Sequence, residues 1–187
     1  MTRLILCLIL MLTASLVLAQ SDAPATPEGA KPENGVPEPA MTVPRLGEII
    51  RIIDPDAVAR GPTIEFTVQD IPVIVIADAR ADRMRAMVPI RAADGIGADE
   101  LMRLMQANFD SALDARYAVA QGRLWGVFIH PLSPLERDQF LSGIAQTINL
   151  ARTYGQTYSG GADVFGGGDS NRIYQDLLDD LRKDQEL

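Results

Sequence analysis

Residues that commonly perform chemistry are scarce in this chain. Its 187 residues include one cysteine, Cys7, and one histidine, His130. Because there is no second cysteine, a disulfide within the chain and a zinc site built from several thiolates are both excluded. Because there is no second histidine, acid–base catalysis by an imidazole would depend on His130 alone. The sequence therefore predicts no metal site and no cofactor.

Positive charge is also in short supply. Lysine and arginine together number 17, against 25 aspartates and glutamates, which leaves a formal net charge of −8. An acidic chain is repelled by phosphate backbones and by anionic lipid headgroups. We therefore expect neither nucleic-acid binding nor peripheral membrane binding. The length suits one globular domain of ordinary size with tails.

The longest apolar run stands at the N-terminus. One arginine precedes an apolar stretch over residues 4–18, and Val17 and Ala19 occupy the −3 and −1 positions of a cleavage site. This layout is typical of a secretory signal peptide, whereas a membrane-spanning helix wants about 20 apolar residues. Cys7 lies inside the apolar run rather than at the cleavage site, so it cannot be the lipid-modified cysteine of a lipoprotein. We predict that residues 1–19 are a signal peptide, with an uncleaved anchor as the alternative, and that the protein is periplasmic or secreted without stable membrane insertion after cleavage.

Composition divides the rest of the chain into a domain and its flanking segments. Residues 20–44 hold six prolines and no apolar periodicity, which predicts a disordered linker. Residues 159–170 hold five glycines and are predicted to form a second linker. Residues 171–187 carry one apolar stripe on a short acidic amphipathic helix, which could dock on its own domain or on another protein. The folded domain is expected over residues 45–158.

Five segments of this domain have the pattern of β-strands. Residues 64–68 alternate between apolar and polar side chains, as a half-buried strand does. Residues 73–76 are continuously β-branched, which favours a strand that is apolar on both faces. The turns between neighbouring segments are too short for crossovers, so antiparallel pairing is expected. The predicted strands lie at residues 64–68, 73–76, 83–91, 116–120 and 124–130.

Three helices complete the predicted domain. Apolar residues recur at helical spacing near residues 44–53 and 99–114. The third helix is expected to begin at Ser133, with Glu136 three residues later forming a capping box, and to end near residue 154. The element order α-β-β-β-α-β-β-α predicts an α+β fold with a mainly antiparallel five-stranded sheet.

The element order and three short segments resemble a known family. The segments are residues 101–109, the hairpin over 117–129, and the Leu-Ser-Pro-Leu sequence at 132–135 that opens the last helix. Together they resemble the type III secretion chaperone-like fold and, within it, the YbjN-type group of sensory-transduction regulators. The resemblance implies a dimer that binds an extended partner chain and has no catalytic residue. It also keeps open a sensory or regulatory input domain.

Two strands have apolar side chains on both faces of the sheet. Helices on one side of a sheet cover only one of those faces. Trp125, Val127 and Ile129 alternate with an equally apolar set, and Val73 and Val75 belong to the β-branched run. These five residues form the candidate interaction face. An apolar patch of this kind is usually buried against a second copy or a partner. The alternative is that the proline-rich arm or the terminal helix covers it.

A small periplasmic hydrolase is the alternative from another class of function. His130 would act as the general base, with Asp70, Asp78 or Asp82 nearby. Aspartates next to strands also occur because their carboxylates accept hydrogen bonds from the turn backbone. The sequence therefore favours a non-enzymatic, exported protein-binding domain, chaperone-like or regulatory, over this hydrolase.

Overall fold

A computed structural model of the protein describes residues 38–110, 113–155 and 170–185. Its strands are β1 (Val58–Arg60), β2 (Thr63–Val68), β3 (Ile71–Asp78), β4 (Arg83–Ala92), β5 (Arg116–Ala120) and β6 (Arg123–Pro131). They form one sheet in the order β1-β2-β3-β4-β6-β5, and every neighbouring pair is antiparallel. The helices are α1 (Val43–Ile53), α2 (Ala98–Asp110), α3 (Arg137–Arg152) and α4 (Ser170–Asp184).

The four helices all lie on one side of the sheet. Helices α1 and α3 pack on the sheet itself, α2 packs beside β5, and α4 packs on α3 and α1. The strand residues beneath them belong to one alternating set, because Val75 pairs with Ala86, which pairs with Phe128. This set and the inward helix residues form the hydrophobic core. The face that the core buries is therefore the only one that these helices cover.

The α+β class and the antiparallel pairing are confirmed, with six strands rather than five. The strand missing from the prediction is β1, which spans three exposed residues at the sheet edge and pairs only with β2. Such a segment has no alternation of apolar and polar residues, so its sequence gives no strand pattern. The structure thus extends the predicted order by one edge strand.

The predicted boundaries change at two places. Met41 is buried and donates its backbone N–H to the Ser133 carbonyl, so residues 38–44 belong to the fold rather than to the linker predicted over 20–44. Helix α3 begins at Arg137, not at Ser133, with Glu136 as its N-cap. The predicted signal peptide (1–19), residues 20–37 and the glycine-rich segment 159–169 lie outside the described residues.

Helix α3 approaches β6 closely through two glycines. A Cβ on Gly126 of β6 would stand 2.9 Å from the Thr147 carbonyl oxygen of α3. A Cβ on Gly143 of α3 would stand 2.5 Å from the Phe128 ring of β6. Real Cβ contacts are longer than this, so the helix can lie this near the strand only where side chains are absent.

Helix α4 docks on its own domain, which resolves one alternative left open by the sequence. Its stripe of four apolar residues is buried against the core cluster, and the Tyr174 hydroxyl lies 2.8 Å from Ser142 Oγ on α3. The opposite side of α4 is exposed and acidic. The buried residues are Tyr174, Leu177, Leu178 and Leu181.

Candidate functional site: the open sheet face

The second face of the sheet points away from all four helices. The register places Ile74, Met87 and Val127 in one row across β3, β4 and β6. The next row holds Ile76 and Ile129, and Ile129 is 55% exposed. We call this surface the open face. Its apolar residues on the three central strands include Ile74, Ile76, Met87, Pro89, Trp125, Val127 and Ile129.

Two of the five residues predicted for the interaction face belong to the core instead. Val73 is 1% exposed and Val75 is 0% exposed, because both side chains point towards the helices. The run at 73–76 is β-branched at every position, so its sequence does not show which alternate set faces inwards. The structure places Ile74 and Ile76 of the same run on the open face, together with Trp125, Val127 and Ile129.

Arginines are concentrated on the open face of this acidic protein. The side chain of Arg85 lies in the row between Ile76 and Ile129 and makes no hydrogen bond or ion pair with any described residue. Arg123 lies over the Trp125 ring at 5.9 Å, and Arg60 is 3.7 Å from Glu65. The charged residues whose register places them on this face are Arg60, Arg83, Arg85, Arg116 and Arg123, against Glu65 and Asp78.

A shallow depression lies on the open face where β3, β4 and β6 come together. Ile76 and Ile129 line it with apolar surface, and Arg83 and Arg85 add guanidinium groups. The nearby Asp78 carboxylate accepts hydrogen bonds from two backbone N–H groups of the β3–β4 turn, at 2.8 and 3.1 Å. The depression therefore combines apolar walls with positive charge.

The contacts of the His130 ring are with residues of its own strand, β6. Its Nδ1 lies 2.8 Å from the Pro131 carbonyl oxygen, and its ring stacks on Phe128 with centroids 5.9 Å apart. The carboxylates of Asp78 and Asp82 are hydrogen-bonded to turn and loop groups instead. No cluster of three or more potential metal ligands occurs in residues 38–110, 113–155 and 170–185. Across the same described ranges, the helices are too short or too polar to span a bilayer.

Asp82 links the β3–β4 turn to the segment before α3. Hydrogen bonds from Ser133, from its N–H at 2.7 Å and its Oγ at 2.9 Å, hold the pKa of Asp82 below its ordinary value. Ser133, predicted as a helix cap, therefore serves this contact. The bonds favour the carboxylate, so their contribution to stability is present above the ordinary aspartate pKa and is lost as the pH falls through the lowered value.

This contact predicts a pH-dependent effect of the Asp82→Asn substitution. We expect the variant to be less stable than the wild type near neutral pH, and the difference to shrink as the pH falls below about 4. Urea unfolding of both proteins at several pH values between neutral and acid measures it. A difference that stays constant down to about pH 3 would contradict the role given to the carboxylate.

A second exposed apolar surface lies on α2. Helical spacing indicates a broad inward stripe there, but the structure buries only Leu104 and Ala107. Met102 is 70% exposed, Phe109 is 73% exposed, and Met105 is exposed beside them. The short β5 strand and its neighbours give α2 too little surface to cover, so half of its stripe faces outwards.

The comparisons with known proteins give distant similarity to solved structures. No protein-family model matches the chain, and no curated protein matches it. Among solved structures, the chain is similar to one from the "Crystal Structure of the ExsC-ExsE Complex", at 13% identity and a TM-score of 0.48. The similarity covers 61% of this chain and 93% of the other.

Proposed function

We propose that this protein is an exported, non-enzymatic binding domain that holds a segment of another protein on its open face. The observation that carries the proposal is the row structure of that face, where seven apolar side chains lie on the side of the sheet opposite the helices. Six of these side chains are half-buried and Ile129 is exposed, and a contiguous apolar surface of this kind is typical of an interaction site. The signal-peptide pattern over residues 1–19 supports an envelope or extracellular setting, and the resemblance stated from the sequence supports a chaperone-like or regulatory role.

The charge of the open face favours binding of another protein over binding of a second copy of this chain. In a two-fold dimer the same patch meets itself, so each arginine-rich face would meet another one. Like charges facing each other across an interface oppose binding. Five arginines against two acids give the face a positive sign, although the protein is negative overall. Self-association through this face is therefore the less favoured arrangement.

A neutral peptide tests the proposal, with Trp125 as an internal reporter. Trp125 is the only tryptophan of the chain and lies on the open face, so its fluorescence reports binding there directly. The probe is a tryptophan-free peptide that alternates leucine with serine and carries a polyethylene-glycol tag for solubility. We expect saturable binding, and we expect Ile129→Gln to weaken it about tenfold, because burying an isoleucine contributes about 1.5–3 kcal/mol.

Ile52→Gln is the matched control for this substitution. Ile52 is 49% exposed, close to the 55% of Ile129, but it lies on α1 on the helix side of the sheet. The control should bind the peptide within about twofold of wild type. Equal binding by the wild type and Ile129→Gln would contradict the proposal, as would a wild type that binds neither this peptide nor the charged peptides described below.

A further inference from the structure

We infer that the partner segment is acidic as well as apolar, and that one of its carboxylates binds Arg85 in the depression of the open face. This inference rests on the proposed function and names the chemistry of its partner. It comes from the placement of cations on a protein whose net charge is −8.

The row that contains Arg85 determines the pattern of the partner. The register places the guanidinium-bearing side chain between Ile76 on β3 and Ile129 on β6. A segment lying across this row would meet an apolar, a cationic and again an apolar side chain. Complementary side chains are apolar residues that flank a carboxylate, and arginine binds carboxylates with two parallel hydrogen bonds.

The other charges near the depression leave this guanidinium available. Asp78, the acid that lines the depression, is engaged by the backbone N–H groups of Arg80 and Ala81. Glu65 lies two strands away and is close to Arg60. Arg83 adds a second cation to the same depression. A carboxylate from outside would therefore meet two arginines and one aspartate there, which leaves the depression with a net positive charge.

Charge-matched peptides test the inference. One peptide alternates leucine with glutamate, and its counterpart alternates leucine with lysine; both are read by Trp125 fluorescence beside the neutral leucine–serine peptide. At low ionic strength we expect the glutamate peptide to bind at least about tenfold more tightly than the lysine peptide, since several opposite-charge contacts replace like-charge ones. The preference should shrink as the sodium chloride concentration rises from about 0.05 to 0.5 M.

Substitution of Arg85 localises the preference. We expect Arg85→Glu to reduce glutamate-peptide binding about tenfold while the neutral peptide binds nearly as before. Arg172→Glu is the matched control, because it makes the same change in net charge on the exposed side of α4 and should leave all three peptides unaffected. Arg85→Gln removes the cation without adding an acid, so it serves as the second variant if Arg85→Glu folds poorly.

The outcomes separate this inference from the proposed function. Equal binding of the three peptides would overturn the acidic partner and leave the open face as a binding site. Failure of all three peptides would overturn both. A single-stranded DNA oligonucleotide that binds as tightly as the glutamate peptide would show a general polyanion site and would also overturn the inference. Self-association of the purified protein would overturn it too if Arg85→Glu changed that self-association.

Discussion

Gly143→Ala is expected to lower the free energy of unfolding by about 2 kcal/mol. The added methyl group would stand 2.5 Å from the Phe128 ring, which is itself buried in the core. Overpacking of a filled core costs about 1–3 kcal/mol, and a contact this short places the substitution at the upper end of that range. The gain of about 1 kcal/mol from replacing a helical glycine by alanine then leaves a net loss of about 2 kcal/mol. Urea unfolding of the variant measures the difference.

Gly47→Ala is the matched control, because it changes the same residue type within a helix where there is room. A Cβ at Gly47 would meet its nearest neighbour, Ile64 Cδ1, at 3.7 Å, an ordinary contact distance. This variant should be more stable than the wild type by about 0.5–1 kcal/mol. Gly143→Ala should also cost less in a Phe128→Leu background. Equal effects at the two glycines would refute the close approach of α3 to β6.

The double substitution Leu177→Ala with Leu181→Ala is expected to release α4 from the domain. Both side chains are almost fully buried, and a leucine-to-alanine change in a core costs about 2–5 kcal/mol. Once α4 has left the domain, losing more of its contacts no longer changes the stability of the rest. The two substitutions together therefore cannot lower the stability by more than the free energy with which α4 docks. An isolated helix of this length is marginal in water.

Hydrogen–deuterium exchange checks this prediction along the chain. We expect the amides of α4 to lose their protection in the double variant while those of the sheet keep theirs. Ile173→Ala is the control, because Ile173 belongs to the same helix but is exposed, and its effect should stay near 0.5 kcal/mol. Full protection of α4 in the double variant would contradict its docking through Leu177 and Leu181.

Much of the fold could be predicted from local patterns. The hairpin formed by β5 and β6 follows from the Gln121–Gly122 turn, where both residues have positive φ. Gly155, just after the third helix, takes the left-handed conformation that glycine favours at helix ends. Short turns predict antiparallel neighbours, and helical spacing finds α1 and α3. These features depend on residues close together in the chain, so the sequence contains the information directly.

Other features depend on contacts between distant residues. Gln146 of α3 accepts hydrogen bonds from the backbone N–H groups of Asp114 and Ala115, and no local pattern predicts this pairing. Ser133 has the sequence context of a helix cap, but Asp82 is its partner, 51 positions away. Tertiary contacts override local preference at such positions.

The composition of the candidate face could be predicted only in part. An apolar set on both sides of a strand indicates that one face remains open, and Trp125, Val127 and Ile129 fall on it. Which alternate set of β3 side chains joins them depends on where the helices lie. The prediction that Val73 and Val75 belong to this face was therefore wrong. The concentration of arginines there depends on the register of β3, β4 and β6, which cannot be read from local sequence patterns.

We expect the partner to bind on the open face and not on the exposed side of α2. Methyl NMR of protein labelled at isoleucine and methionine distinguishes the two surfaces in one titration with the glutamate peptide. Binding on the open face should shift the methyl signals of Ile74, Ile76, Met87 and Ile129 and leave those of Met102 and Met105 unchanged. Shifts confined to Met102 and Met105 would contradict it.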